Sequence, residues 1–153
     1  MLGSELLNIR LVDEFISQAA EAQACRAKSN RSEKERLKVL IVDDQRMIAD
    51  TLAEILDQAG FRAIAAYDAW TALEVAAKER PEYLITDVLM PAMNGVDLAI
   101  AVTKMSRTTK ILLFSGQTGI AKILHKAREE GYDFDLVAKP IHPEKVIERL
   151  KRL

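Results

Sequence analysis

The chain has 153 residues, of which 49% are hydrophobic and 29% charged, and its 22 basic and 23 acidic side chains give a formal charge of −1. This length fits one domain with an appendage, because domains commonly run to about 100 to 150 residues. The balanced charge excludes a strongly basic or acidic protein, so we expect neither nucleic acid nor a membrane surface as a partner.

The cysteine content and the apolar runs bear on the cellular setting. The single cysteine, Cys25, excludes an internal disulfide and a cysteine-rich zinc site. No apolar run approaches the roughly 20 residues that cross a bilayer, and the first residues lack the pattern of a signal peptide. We therefore expect a cytoplasmic protein.

Residues 1–36 are predicted to form a separate N-terminal segment. Apolar side chains recur at helical spacing from Leu6 to Ala20, which predicts an amphipathic helix to about Lys28, and residues 26–36 follow as a polar linker. The apolar face of that helix needs a cover, which could be the rest of the chain, a second copy in a homodimer, or a partner protein. A further alternative is that this segment lies upstream of the natural start.

From Leu37 onward, short apolar runs alternate with stretches of helical periodicity. The alternation predicts strand-helix-strand units and a parallel sheet. The strand runs are continuously apolar, which indicates that helices cover both faces of the sheet. The sequence therefore predicts an α/β fold with a doubly wound, five-stranded parallel sheet. The predicted strands are 37–44, 61–68, 83–87, 110–116 and 135–140, and the predicted helices are 46–58, 69–80, 96–105, 118–130 and 143–153.

Polar side chains stand at the C-terminal tips of four predicted strands. In chain order these residues are Asp43 and Asp44, Asp87, Ser115, and Lys139. Ligands of doubly wound sheets bind beyond the C-terminal ends of the strands, so we expect these side chains to meet at one edge. Carboxylates about 4 Å apart repel by roughly 4 kcal/mol per pair at an effective dielectric near 20. Three of them need a cation, and Mg²⁺ suits such oxygen ligands.

The chemistry of this cluster centres on Asp87. A carboxylate held beside a metal ion, the Lys139 ammonium and the Ser115 hydroxyl can act as a nucleophile toward phosphorus and form an acyl phosphate. The metal ion and the lysine would offset the charge of the transferring group.

Several residues have plainer interpretations when they are taken alone. Asp43 and Asp44 could simply cap the helix that follows them. His125 and His142 lack companion ligands, so we expect surface or packing residues there. Trp70, near the start of the second helix, is expected to be a packing residue.

Four stretches in order resemble the receiver domain of bacterial two-component response regulators. They read KVLIVDDQ, LITDVLMPAMNG, LLFSG and AKP, and the resemblance spans residues 37–153. It implies a flavodoxin-like sheet with strand order 2-1-3-4-5, like that of the single-domain CheY proteins. It also implies a non-enzymatic signalling module that accepts a phosphoryl group from a histidine kinase or phosphotransfer protein and changes its affinity for a downstream protein.

The resemblance assigns a metal site and a phosphoacceptor. Asp87 would be the phosphoacceptor and a Mg²⁺ ligand, and Asp44 would bind the ion directly. Asp43 would act mainly through a bound water, and Leu89 would contribute its backbone carbonyl. Lys139 would contact the phosphoryl oxygens.

Other positions in the same pattern concern the switch and the lifetime of the phosphoryl group. Ser115 would take the switch position that is usually Thr or Ser. Leu136 stands where many receivers have an aromatic residue that rotates inward, so we expect the aromatic switch to be missing, with Phe134 at most a partial substitute. Leu89 and Gln117 would flank the path by which water attacks the acyl phosphate.

Two other functions compete with a stand-alone receiver. The first is a Mg²⁺-dependent phosphatase or phosphotransferase of the haloacid-dehalogenase type, which places its nucleophile after the first strand in an Asp-x-Asp pattern. The first strand here ends in Asp43, Asp44 and Gln45, which argues against that class. The second is an adaptor that is never phosphorylated, which the intact acidic cluster disfavours.

Overall fold

The computed structural model describes residues 35–116, 119–140 and 142–153. The predicted N-terminal helix and Gln117 lie outside these residues, so the expectations about them stay predictions. Leu37–Leu153 group as one compact unit. Within the described ranges, no helix has the length and apolar character needed to span a membrane.

Five strands alternate with five helices in this unit. The strands are β1 (Lys38–Val42), β2 (Arg62–Ala66), β3 (Tyr83–Asp87), β4 (Lys110–Ser115) and β5 (Asp135–Ala138). The helices are α1 (Arg46–Gln58), α2 (Ala69–Glu79), α3 (Gly95–Met105), α4 (Ala121–Glu129) and α5 (Pro143–Arg152). All strand pairs are parallel and the order is β2-β1-β3-β4-β5. The predicted doubly wound sheet and its strand order are confirmed.

Two helix boundaries differ from the prediction for backbone reasons. Helix α4 begins at Ala121 rather than at 118, because Gly119 has a φ of +99°, which no right-handed helix contains. Helix α2 ends at Glu79, where Arg80 adopts a left-handed conformation with φ +47°. Pro81 follows, and a proline disfavours helical geometry in the residue before it.

Helices cover both faces of the sheet, as the apolar strands predict. One buried cluster joins side chains such as Leu40, Leu84 and Leu113 to α2, α3 and α4. The other joins Val39, Ile85 and their neighbours to α1 and α5. Because both faces are packed with apolar side chains, polar groups carried by the strands accumulate at the strand ends.

Trp70 is not a packing residue, contrary to the expectation from sequence. Its side chain is 61% exposed. Helix α2 turns small residues toward the sheet, and Ala69, Ala72 and Ala76 are its buried positions. With 3.6 residues per turn, a residue directly after Ala69 points about 100° away from that stripe. The tryptophan therefore faces solvent.

Candidate functional site

The sheet brings three carboxylates together at its C-terminal edge. Strands β1 and β3 are neighbours with Val42 opposite Thr86, so the next residue of each strand, Asp43 and Asp87, emerges beside the other. Asp44 follows in the turn to α1. One oxygen from each carboxylate lies within 4.8 Å of the others. Asp43 is buried, Asp87 half-buried and Asp44 exposed.

Lys139 reaches this cluster from the end of β5. Its Nζ lies 2.8 Å from Asp43 Oδ2 and 3.3 Å from Asp87 Oδ2. Neighbouring strands are about 4.8 Å apart, so a side chain that starts on β5 must cross β4 to reach β3. The lysine stem passes over Gly116, where an added Cβ would lie 3.4 Å from Lys139 Cβ. A methyl group at Gly116 would therefore touch the lysine stem at ordinary van der Waals distance.

Asp43 is held from two sides. Its Oδ1 accepts a hydrogen bond from the Gln45 backbone N–H at 2.9 Å, and its Oδ2 accepts one from Lys139. The interpretation of Asp43 and Asp44 as caps of α1 is wrong, because the N-cap residue is Gln45 and no side chain caps this helix. The bond from Gln45 N–H to Asp43 closes a turn before the helix instead. At the tip of β2, Asp68 lies outside the cluster and caps α2 by accepting from Thr71 N–H.

Burial and like charges act on the central carboxylate. Burial raises the pKa of Asp87, the charge of Lys139 opposes that shift, and the charges of Asp43 and Asp44 add to it, with a net upward direction. Burial lowers the pKa of Lys139, but its hydrogen bond and charge interactions with Asp43 and Asp87 outweigh burial and raise it. Lys139 is therefore held as an ammonium ion.

The donor set fits a hard divalent cation. Three carboxylates face one ammonium, so the cluster carries an excess of negative charge that Mg²⁺ would offset. Asp44 is the exposed member and would be reached first from solvent. The role of Leu89 as a carbonyl ligand stays a prediction, with its side chain 36% exposed two residues beyond Asp87.

We expect Asp44→Ala to weaken Mg²⁺ binding by about tenfold or more, because an exposed carboxylate ligand is lost while Asp43 and Asp87 remain. Isothermal calorimetry with MgCl₂ measures the change. Glu54→Ala, which removes an exposed carboxylate from the middle of α1, serves as the control and should bind as the wild type does. An unchanged affinity in Asp44→Ala would remove this residue from the metal site.

Ser115 lies at the end of β4, between the strands that carry Asp87 and Lys139. It is 6% exposed, and its carbonyl oxygen accepts a hydrogen bond from the Lys139 backbone N–H at 2.8 Å. This position agrees with the predicted meeting of the strand tips. Its role as a switch stays a prediction.

Phe134 lies too far from Ser115, measured along the strand direction of the sheet, to act as a partial switch. Ser115 is opposite Ala138 in the parallel register, and Phe134 lies four residues before Ala138, which is about 13 Å along an extended strand. The Phe134 ring stacks on Tyr132 at a centroid distance of 5.9 Å. Leu136, the residue at the usual aromatic position, is 37% exposed.

Sequence reasoning missed two neighbours of the phosphoacceptor candidate. The Thr86 hydroxyl donates to the Asp87 carbonyl oxygen at 3.0 Å, and Gly95 packs against the same carbonyl. The Asn94–Gly95 pair indicates only a turn when it is taken alone. The available signal was a glycine directly before the predicted helix 96–105, in the turn that follows the central carboxylate.

Comparisons with known proteins agree with this geometry. A family model described as the response regulator receiver domain matches residues 39–151. The solved structure of the chemotaxis protein CheY4 of Vibrio cholerae is 31% identical, with a TM-score of 0.68 over 76% of this chain and 98% of that chain. A CheY-like receiver domain protein of Methanospirillum hungatei JF-1 is 25% identical, with a TM-score of 0.70 over 76% and 92%.

A third similar structure is the signal receiver domain of an HD domain-containing protein of Pseudomonas fluorescens Pf-5. It is 26% identical, with a TM-score of 0.70 over 76% of this chain and 93% of that chain. The family match runs from the first strand to the last helix and includes every member of the carboxylate cluster and its lysine. This chain belongs to the family of response regulator receiver domains.

Proposed function

We propose that this chain is a receiver that takes a phosphoryl group on Asp87 and signals by changing its affinity for a partner protein. The donor is the phosphohistidine of a histidine kinase or phosphotransfer protein. The observation that carries the proposal is the position of Lys139 Nζ, which contacts both Asp87 and Asp43 within a cluster of three carboxylates. Nucleophile, metal ligands and a fixed cation thus share one sheet edge.

The transfer reaction uses each of these groups. A carboxylate oxygen of Asp87 attacks phosphorus as the phosphorus–nitrogen bond to the donor imidazole breaks, and the imidazole leaves as a neutral ring after it gains a proton. Asp44, Asp87 and the Leu89 carbonyl would hold Mg²⁺ directly and Asp43 would do so mainly through a bound water, and the bound ion would supply positive charge beside the phosphoryl oxygens. Lys139 contributes the second positive charge.

The same geometry argues against a phosphatase of the haloacid-dehalogenase type. That class needs a reactive carboxylate directly after the first strand, where this chain has Asp43. Asp43 is 2% exposed, and its two oxygens are occupied by Gln45 N–H and Lys139. An oxygen bound in this way is poorly placed to attack phosphorus, whereas Asp87 is more accessible.

Two substrates distinguish these functions. We expect acetyl phosphate with Mg²⁺ to add a single phosphoryl group, seen by intact-mass spectrometry. We expect no continuous hydrolysis of p-nitrophenyl phosphate. Steady turnover of p-nitrophenyl phosphate, without a stable phosphorylated species, would favour the phosphatase instead.

We expect Leu89→Asn to speed loss of the phosphoryl group by about tenfold, because an amide can position the attacking water and an aliphatic side chain shields the bond. Loss of radiolabel from the purified phosphorylated protein with Mg²⁺ measures the rate. Leu37→Asn is the control, since Leu37 is an exposed leucine directly before β1, at the edge of the sheet opposite to Asp87. An equal or slower rate in Leu89→Asn would show that this side chain does not guard the bond.

Further parts of the proposal rest on sequence alone. We propose a cytoplasmic setting from the composition. A homodimer through the predicted N-terminal helix is one of the three arrangements that would cover the apolar side chains from Leu6 to Ala20. Gln117 completes the predicted surroundings of the attacking water.

A further inference from the structure

We propose that Gly95 and Thr86 are positioning residues that fix the main chain of Asp87 and thereby aim its carboxylate. The proposal rests on the assignment of Asp87 as the phosphoacceptor. Both residues act on one atom, the Asp87 carbonyl oxygen, which lies at the end of β3 where the strand meets the loop to α3.

Gly95 permits an unusually close approach of α3 to this carbonyl. A Cβ at Gly95 would overlap the Asp87 carbonyl oxygen and would lie 2.8 Å from the Asp87 carbonyl carbon. Gly95 has no left-handed φ, so the glycine is required by space and not by backbone conformation. The first turn of α3 therefore rests directly on the peptide group of Asp87.

Thr86 holds the same carbonyl from the sheet side. It is fully buried, its hydroxyl donates to the Asp87 carbonyl oxygen at 3.0 Å, and a Cβ at Gly95 would lie 3.0 Å from that hydroxyl. The strand, the threonine and the helix thus enclose the carbonyl oxygen.

The neighbouring peptide group is tied on both sides. The Val88 N–H donates to the Phe114 carbonyl at 2.9 Å, and the Val88 carbonyl accepts from the Gly95 N–H at 2.7 Å. The clash that a methyl group at Gly95 would make cannot be relieved by a small side-chain shift, because the nearest atoms belong to the Asp87 backbone. Either α3 moves outward or the Asp87 peptide rotates, and in-line attack is sensitive to displacements of about 1 Å.

Gly95→Ala is expected to slow phosphoryl uptake from acetyl phosphate by about tenfold or more and to weaken Mg²⁺ affinity. Thr86→Val, which keeps the shape but removes the hydroxyl, should fall between the wild type and Gly95→Ala. Thr86→Ser keeps the hydroxyl and should restore the wild-type rate. If Gly95→Ala does not fold, the comparison of Thr86→Val with Thr86→Ser tests the proposal.

Gly60→Ala is the control for a general loss of stability. Gly60 has a φ of +101° with open space around it, so alanine strains the backbone there. It lies just before the start of β2, at the edge of the parallel sheet opposite to the end of β3 that carries Asp87. We expect a lower urea midpoint in this variant, with unchanged uptake and Mg²⁺ affinity.

Three results would overturn the positioning role. The first is a wild-type rate and Mg²⁺ affinity in both Gly95→Ala and Thr86→Val. The second is an equal slowing in Gly60→Ala, which would reduce the effect to stability. The third is a wild-type protein that takes up no phosphoryl group. That result would contradict the proposed function itself, whereas the first two results contradict only the positioning role.

Discussion

Asp87→Asn is expected to abolish phosphoryl uptake from acetyl phosphate, while the wild type gains one phosphoryl group. An amide is a far weaker nucleophile than a carboxylate, and the nearest alternatives are poorly suited. Asp43 is 2% exposed and bound to Lys139, and Asp44 lies on the exposed side of the cluster. Intact-mass spectrometry with and without Mg²⁺ measures the difference.

The same variant should be more stable than the wild type at neutral pH without Mg²⁺, by about 1 kcal/mol. Burial and the charges of Asp43 and Asp44 outweigh Lys139 and raise the pKa of Asp87 in the folded state. A raised carboxyl pKa contributes stability below the ordinary value of about 3.9, and that stability is lost as the pH rises through the folded-state value. The advantage of Asp87→Asn should therefore disappear below about pH 4.

Asp135→Asn is the control for these two effects, because Asp135 is an exposed carboxylate on β5. It should take up phosphoryl groups and unfold as the wild type does. Full phosphorylation of Asp87→Asn would transfer the acceptor role to another residue. A loss of stability at neutral pH would contradict the electrostatic account of the cluster.

Lys139→Ala is expected to lower the free energy of unfolding by about 3 kcal/mol at neutral pH without Mg²⁺, because it leaves a buried charge unpaired. The Asp43 side chain is 3% exposed and lies 2.8 Å from Lys139 Nζ. Mg²⁺ at millimolar concentration should recover much of this loss, since it supplies the missing positive charge. Urea denaturation in EDTA and in MgCl₂ measures both values.

The pH dependence of this effect has a definite sign. Burial lowers the pKa of Lys139, but the interactions with Asp43 and Asp87 raise it by more, so its net shift is upward. The folded state therefore holds the proton more tightly than the unfolded state does. The stabilisation is complete below the ordinary lysine pKa of about 10.4 and is lost as the pH rises through the folded-state value. The difference between the wild type and Lys139→Ala should therefore be constant near neutrality and shrink in strong alkali.

Lys122→Ala removes an exposed lysine from α4 and is the control, with little expected change. An equal loss of stability for Lys139→Ala in EDTA and in MgCl₂ would show that the lysine acts through packing of its stem. Full stability in both conditions would mean that its contacts with Asp43 and Asp87 contribute nothing measurable.

The strands could be predicted from sequence because each is a short run of consecutive, mostly apolar residues. Strand β3 has the predicted bounds, since Leu84, Ile85 and Thr86 are all buried and an uninterrupted apolar run is the pattern of a doubly covered strand. The start of α4 could not be predicted, because it depends on the φ of Gly119. The exposure of Trp70 depends on which stripe of α2 faces the sheet.

The order of the strands predicts which residues meet at the site, but it does not predict which of their atoms are in contact. Parallel strands place their C-terminal residues at one edge, so the meeting of Asp43, Asp87 and Lys139 could be predicted. That Lys139 lies closer to Asp43 than to Asp87 depends on where its stem crosses β4. The close approach of Gly95 to Asp87 depends on how α3 packs, so the glycine signals a turn in the sequence but not this contact.

The location of the phosphoryl group tests the central claim most directly. The wild type is incubated with acetyl phosphate and Mg²⁺, reduced with borohydride, which converts an aspartyl phosphate to homoserine, and digested for peptide mass spectrometry. We expect homoserine at position 87, dependent on acetyl phosphate. Homoserine at position 43 or 44, or unmodified aspartate at all three positions, would contradict Asp87 as the phosphoacceptor.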